Sequence, residues 1–98
     1  MIKVNFTNNS IMITGHANFD NYGKDIVCAS VSSIVITSAN DMFIVDETAL
    51  EYIDDGNKIL INIIKDDELI NKLFKNLKNL LINLAKDYPK NIKVESEE

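Results

Sequence analysis

The sequence contains a single histidine, His16, and a single cysteine, Cys28, on either side of one polar segment. His16 follows Gly15 at the end of an apolar run, and Cys28 stands near the start of a second, longer apolar run. A cysteine attacks a carbonyl only as its thiolate, which a helix N-terminus and a nearby imidazole both favour. The two side chains therefore predict a thiol–imidazole dyad in which His16 takes the thiol proton and later returns it to a leaving group.

The residues between and after this pair have supporting roles in that interpretation. Residues 17–24 are polar, contain Gly23 and are interpreted as a mobile loop. Asp25 is predicted to cap the next helix, because its carboxylate could accept the backbone N–H of Cys28. Its negative charge would oppose thiolate formation, which favours capping and positioning over activation. Ser32 lies one turn after Cys28, either as a buried helix serine or as a hydroxyl beside the thiol.

The apolar patterns predict the elements that must position these side chains. Alternation and turn residues indicate strands over 2–6, 11–14, 50–53, 59–64 and 92–94. Helical spacing indicates one helix from Asp25 to Val45 and a second from Asp66–Asp67 to Pro89. The order β-β-α-β-β-α-β predicts an α+β fold, with two helices packed on one face of a mixed or antiparallel sheet. Residues 1–98 are expected to form a single domain.

The second helix carries a long apolar stripe with lysines on its far face. The stripe contains Leu69, Leu73, Phe74, Leu77, Leu80, Leu81 and Leu84, and the lysines are Lys72, Lys75, Lys78 and Lys86. The stripe is generous for so small a domain, so part of it, or a sheet edge, is expected to be covered by a second copy. After the last strand, residues 95–98 are predicted to form a frayed acidic tail.

Composition excludes several classes of protein. The net charge is −5 and all ten cations are lysines, which argues against nucleic-acid binding. An acidic protein suits a basic partner, but mild acidity is equally typical of soluble bacterial domains with no such partner. One cysteine allows no internal disulfide and fits a reducing compartment. We expect a cytoplasmic protein, because no signal peptide and no apolar run long enough for a bilayer are evident. One His and one Cys are too few for a zinc site, and no glycine-rich phosphate loop occurs, so no metal or cofactor is expected.

The residues around the polar segment resemble the motif of the ribosomal-processing cysteine protease family of bacteria. That motif is Gly-His-Ala, a short loop with a glycine, then Asp-Ile-Val-Cys-Ala and a serine shortly after. The same order occurs here in Gly15-His16-Ala17, Gly23, Asp25-Ile26-Val27-Cys28-Ala29 and Ser32. Beyond residue 45 the similarity lies in the order of the elements.

The resemblance implies a cysteine endopeptidase needed for ribosome maturation. Its substrate would be the basic precursor of a large-subunit ribosomal protein, the twenty-seventh, from which it removes a short N-terminal extension. Cys28 would be the nucleophile and His16 the general acid/base. The supporting residues would be Gly15, Gly23, Asp25 and Ser32. Family members form homodimers, and the loop that orders on the substrate corresponds to residues 17–24.

Two other interpretations remain open at this point. A non-catalytic ribosome-associated assembly protein would bind the same basic partner and would keep binding it without Cys28. A thiol redox sensor would use reversible oxidation of Cys28, although the chain offers no second cysteine to resolve the oxidised sulfur.

Overall fold

The computed structural model describes residues 1–15 and 26–97. Within these ranges the predicted element order is confirmed. The strands are β1 (Ile2–Phe6), β2 (Ser10–Thr14), β3 (Leu50–Asp54), β4 (Lys58–Ile63) and β5 (Ile92–Ser96), and the helices are α1 (Ile26–Val45) and α2 (Glu68–Asp87).

The five strands form one mixed sheet in the order β3-β4-β2-β1-β5. Three neighbouring pairs are antiparallel, whereas β1 and β5 are parallel, with Val4 opposite Val94. The parallel pair follows from the path of the chain, because α2 carries it back along the sheet before β5 begins. The strands β3 and β5 are the two edges of the sheet.

One face of the sheet carries the core, and both helices contact each other over it. Val4 pairs with Ile13, and Ile13 pairs with Ile59, so alternate residues of three strands point to the same side. The side chains between sheet and helices include Val31, Val35 and Met42 from α1, all fully buried. The predicted α+β architecture, with two helices on a mixed sheet, is confirmed.

The limits of α2 follow from local chemistry. The Asp67 side chain accepts the N–H of Ile70 at 3.0 Å, which caps the first turn. The Tyr88 N–H donates to the Leu84 carbonyl at 3.0 Å, and the helix has ended before Pro89 can interrupt its hydrogen bonds. Both predicted ends are therefore confirmed to within a residue or two.

Three details differ from the sequence-based expectation. Residues 95–96 continue β5 beside Asn5 and Phe6 instead of fraying, because backbone pairing does not depend on their polar side chains. The face of α2 that enters the core contains Ile70, whereas Leu69 and Leu80 are exposed. The buried face is rotated relative to the predicted stripe, because α2 packs on the sheet through the row Ile70, Phe74, Leu77 and Leu81. Lys78 is half-buried rather than on the far face.

Contrary to the expectation from the sequence, helix α1 is long and apolar enough, by length and composition, to cross a membrane. One side of it, however, packs in the core through Val27, Val31, Val35, Ala39 and Met42. A core helix meets the same length and composition criteria as a membrane span. Its outer side is mixed, because Ile36 and Ile44 are exposed there beside exposed polar residues such as Thr37 and Asn40.

Candidate active site

Gly15 is the last described residue before His16, and its backbone conformation is one that glycine permits. Its φ is +79°, in the left-handed region that other residues rarely adopt. A Cβ at this position would meet the backbone of Met1, lying 3.3 Å from the Met1 carbonyl carbon and closer still to its oxygen. The chain therefore passes tightly over the first residue as it leaves β2. The backbone therefore requires glycine at the position that immediately precedes His16.

Cys28 is the third residue of α1 and lies in its first turn. Its side chain is half-buried and packs against the core cluster. The backbone N–H groups of a helix's first turn have no partner within the helix, and the macrodipole is positive there. Both effects favour a thiolate at Cys28 over a neutral thiol. The predicted position of the cysteine at the start of a helix is confirmed.

The connection from α1 to β3 shows which end of the sheet Cys28 occupies. Residue Leu50, at the start of β3, pairs with Ile63 at the end of β4. The N–H of Ile63 donates to the Asn9 carbonyl at 2.7 Å, so the start of β3 lies at the same end of the sheet as the β1–β2 turn. Only residues 46–49 connect α1 to β3, and α1 therefore ends near that turn as well. Gly15 follows β2 at the opposite end of the sheet. The first turn of α1, with Cys28, therefore lies toward the end from which Gly15 leads to His16.

The remaining predicted site residues fall into two groups. Ser32 lies one turn after Cys28 in α1 and is half-buried. His16, Gly23 and Asp25 lie outside the described residues, as does the predicted loop over 17–24. The predicted cap by Asp25 and the dyad between His16 and Cys28 stay predictions.

A feature that the sequence reasoning did not connect with the site is the acidic β3–β4 turn. Thr14, next to Gly15, pairs with Lys58 at the start of β4, which places this turn at the same end of the sheet. The backbone N–H groups of Asn57 and Lys58 each donate to the Asp55 carboxylate at 2.9 Å. These bonds lower the pKa of Asp55, so its negative charge persists at neutral and mildly acidic pH. The sequence alone does not show that β2 pairs with β4, and this pairing is what places the acidic turn near Gly15.

The part of the chain that the structure describes holds no group of three His, Cys, Asp or Glu side chains suited to a metal ion. The chemistry available from these residues is that of a thiol at a helix start. A thiol in this position suits nucleophilic attack on a carbonyl.

Comparison with known proteins decides the family. The sequence model of the cysteine protease Prp family matches residues 1–93. The chain belongs to this family. The predicted resemblance is thereby confirmed, and Prp family membership places the chain among the cysteine peptidases.

Two curated Prp proteins show how the similarity is distributed. The ribosomal processing cysteine protease Prp of Bacillus subtilis is 29% identical over 92 residues, which covers 87% of this chain and 82% of that protein. The protein of the same name from Mycoplasma genitalium is 51% identical over 35 residues, 36% of this chain and 35% of that protein. The second match is local, and the first spans most of both chains.

Solved structures share the fold along the whole chain. The Streptococcus mutans protein SMU.848 superposes with a TM-score of 0.85 at 27% identity, covering 98% of this chain and 93% of that one. The ribosomal processing protease Prp of Staphylococcus aureus, crystallised with a substrate peptide, gives a TM-score of 0.82 at 24% identity, covering 99% and 100%. These superpositions show that both proteins share the fold described above.

Proposed function

We propose that this protein is an endopeptidase that removes the N-terminal extension of a large-subunit ribosomal protein, the twenty-seventh, through a Cys28–His16 dyad. The observation that carries the proposal is the position of Cys28 in the first turn of α1, at the Gly15 end of the sheet, in a chain of the Prp family. A structural cysteine has no need of this position, whereas the N–H groups at a helix start stabilise a nucleophilic thiolate.

The proposed reaction follows the order usual for a thiol nucleophile. The Cys28 thiolate attacks the scissile carbonyl carbon, and the resulting oxyanion is stabilised by backbone N–H groups. The C–N bond then breaks, and the leaving amine takes a proton from the His16 imidazolium. A water molecule, deprotonated by His16, attacks the thioester and releases both the acid product and the Cys28 thiolate. Atoms and protons balance without any cofactor.

Charge supports a basic peptide as substrate. The chain carries a net charge of −5, and the turn with Asp54 and Asp55 lies at the same end of the sheet as Gly15. A lysine- and arginine-rich ribosomal protein approaching this end would be attracted, and the attraction would weaken as salt is added. The Staphylococcus aureus relative has been crystallised with a substrate peptide and with a covalently linked product peptide. A covalent link between enzyme and product peptide is expected for an enzyme that uses a thiol nucleophile.

Cleavage of the extended precursor tests this function. Wild-type protein should convert the precursor to a single shorter product, which mass spectrometry of the intact protein would detect. Cys28→Ala should give no product and should still bind the precursor. Ser33→Ala, an exposed change on the same helix, is the matched control and should cleave normally. Full cleavage by Cys28→Ala would contradict the proposal, and binding without cleavage by wild type would favour an assembly protein.

We further propose that the protein is a homodimer, joined through what we call the α1–β3 surface. This surface consists of the outer side chains Ile36, Asn40, Phe43 and Ile44 of α1 and Tyr52 of β3. Ile36 is 57% exposed and Ile44 is 78% exposed, beside a hollow lined by Phe43 and Tyr52. Large apolar side chains exposed beside an apolar hollow are typical of a surface that a partner covers.

The same surface replaces the α2 stripe as the expected interface. Ile70, Phe74, Leu77 and Leu81 of α2 are buried in the chain's own core and are not free to meet a second copy. Strand β3, by contrast, is an edge of the sheet and lies next to the apolar side of α1. Two identical copies can bury these neighbouring features in one isologous contact.

Light scattering at micromolar concentration tests the dimer. Wild type should show twice the chain mass of 11.1 kDa. Ile36→Lys should shift the mass to that of one chain, because it places a charge on the surface that the second copy covers. Ile64→Lys is a close control, since Ile64 is also 57% exposed but lines the cavity beside α2 rather than the hollow of the α1–β3 surface. A monomeric wild type, or equal effects of both changes, would refute this interface.

A further inference from the structure

Charged residues are segregated along the chain. From Asp41 to Asp55, which covers the end of α1 and all of β3, the sequence contains six acidic residues and no lysine. From Leu69 to Lys93, which covers almost all of α2, it contains six lysines and one acidic residue, Asp87. The net charge of −5 is therefore an average over regions of opposite sign.

The fold places these two regions on different sides of the molecule. Strand β3 is one edge of the sheet and β5 is the other. Helix α2 contacts β5, whereas α1 contacts β3. The lysine-rich segment therefore lies on the β5 side, and the acidic segment lies on the β3 side. Although the overall composition argues against nucleic-acid binding, one side of the protein has the charge that phosphate groups attract.

The outward side of α2 carries one continuous row of polar side chains, which we call the α2 row. Positions three or four apart share one face of a helix. The positions that follow this spacing, all exposed, are Lys72, Lys75, Asn79, Asn83 and Lys86. At 1.5 Å per residue the row is about 21 Å long. The half-buried Lys78 is not part of it.

The charge of the α2 row is available to a partner. Within residues 1–15 and 26–97, no carboxylate pairs with Lys75 or Lys86. Lys72 lies 3.3 Å from Glu68, one turn earlier, and both side chains of this pair are largely exposed. An exposed pair of this kind contributes little to stability, so a phosphate group can replace the carboxylate. Lys90, exposed just after the helix, adds a further cation beyond the end of the row.

The side chains of the α2 row suit a nucleic-acid backbone better than a protein. Protein interfaces are centred on aromatic, methionine and arginine side chains and are poor in lysine, whereas this row contains only lysine and asparagine. Both residue types are common donors to phosphate and sugar oxygens. The wide minor groove of an RNA duplex also exposes 2′-hydroxyl groups, with which the amides of Asn79 and Asn83 can exchange hydrogen bonds.

We propose that the α2 row docks this protein on double-stranded RNA, with Lys75 and Lys86 against phosphate groups and Asn79 and Asn83 against the sugar edges between them. The acidic β3 side lies on the other side of the molecule and stays open to a basic peptide. Docking on RNA does not require the peptidase activity proposed above. It would bring such an enzyme close to a ribosomal protein that is already bound to RNA.

Fluorescence anisotropy of a labelled RNA duplex of about 16 base pairs tests the docking. We expect a dissociation constant of about 1–100 μM at about 0.1 M salt. With about three lysines on phosphate groups, the logarithm of the association constant should fall with the logarithm of the salt concentration at a slope of about −3. A DNA duplex of the same sequence and a polyglutamate peptide of equal charge should both bind more weakly. Equal binding of DNA would overturn the assignment to RNA, and tighter binding of polyglutamate would indicate an acidic protein instead.

Matched double variants locate the contact. Changing both Lys75→Gln and Lys86→Gln should weaken RNA binding at least about ten-fold and reduce the salt slope by about 2. Changing both Lys3→Gln and Lys58→Gln alters the net charge equally, on the sheet face away from the helices, and should leave binding unchanged. Cys28→Ala should bind like wild type, so failure here is distinguishable from failure of the proposed peptidase.

Two results with these variants would overturn the proposal. The first is an equal loss of RNA binding in both double variants, which would show general attraction to charge. The second is salt-sensitive self-association without RNA, detected by light scattering and lost with Lys75→Gln and Lys86→Gln. That result would show that the acidic side of a second copy occupies the α2 row.

Discussion

The conformation of Gly15 makes a quantitative prediction with a control inside the same chain. Gly15 and Gly56 both have positive φ, +79° and +88°. They differ in space, because a Cβ at Gly15 would collide with the Met1 backbone, whereas a Cβ at Gly56 would meet nothing within 4 Å. Alanine at either position has the same backbone strain and the same loss of unfolded-state entropy. The difference between the two variants therefore measures the close contact with Met1.

The size of each effect follows from these terms. Left-handed backbone costs a non-glycine residue about 1–2 kcal/mol, and in both variants the reduced entropy of the unfolded chain offsets about 0.4–1 kcal/mol of that cost. Overpacking against rigid backbone adds about 1–3 kcal/mol for Gly15→Ala. For a domain of this size, 1 kcal/mol lowers the melting temperature by about 4–8 °C. Gly15→Ala should therefore melt at least about 4 °C below Gly56→Ala, which itself melts below wild type.

Thermal unfolding followed by circular dichroism measures this difference. At a temperature where both variants remain folded, Gly15→Ala should also cleave the precursor more slowly than Gly56→Ala, because displacing residue 15 displaces His16. Equal melting temperatures for the two variants would show that the chain does not pass tightly over Met1. The role given to Gly15 would then be wrong.

Two further predictions concern acid stability and helix capping. The Thr48 hydroxyl and N–H, followed by Lys65, lower the pKa of Asp46 from 3.8 to about 2, so its contribution is present above pH 4 and is lost as pH falls from about 4 toward 2. The free energy of unfolding, measured by urea denaturation at each pH, should fall less between about pH 4 and 2 in Asp46→Asn than in wild type. Glu47→Gln should leave this pH dependence unchanged. Asp67→Ala removes the cap on Ile70 and should cost about 1 kcal/mol in the same assay, and no loss would contradict the capping contact.

The sequence predicted the order of elements because its local signals agree. Turn residues such as Asp55 and Gly56 separate two apolar runs, and Asp67 and Pro89 bracket a helical period. The position of Cys28 in a first helical turn followed from the same reasoning. Turns, helix caps and helical spacing each depend on residues that are close together in the sequence, so they can be identified without knowing the fold.

Features that depend on distant residues could not be predicted in this way. Helix α1 carries apolar residues on both its core side and its outer side, so periodicity does not distinguish its core side from the side with Ile36 and Ile44. The burial of Lys78 depends on Phe6, which belongs to another element. The acidic β3–β4 turn lies near Gly15 only because β2 pairs with β4. Each of these follows from strand pairing and helix packing.

A helix start and an imidazole together are proposed to make Cys28 nucleophilic, and the reactivity of the Cys28 thiol tests this proposal most directly. The measurement is the rate of Cys28 labelling by iodoacetamide against pH, for wild type and His16→Ala, read by mass spectrometry. Wild type should label rapidly at neutral pH, well below the usual thiol pKa of about 8.5, and His16→Ala should require higher pH. Superimposable curves would contradict the claim, because they would show that the imidazole does not act on the sulfur.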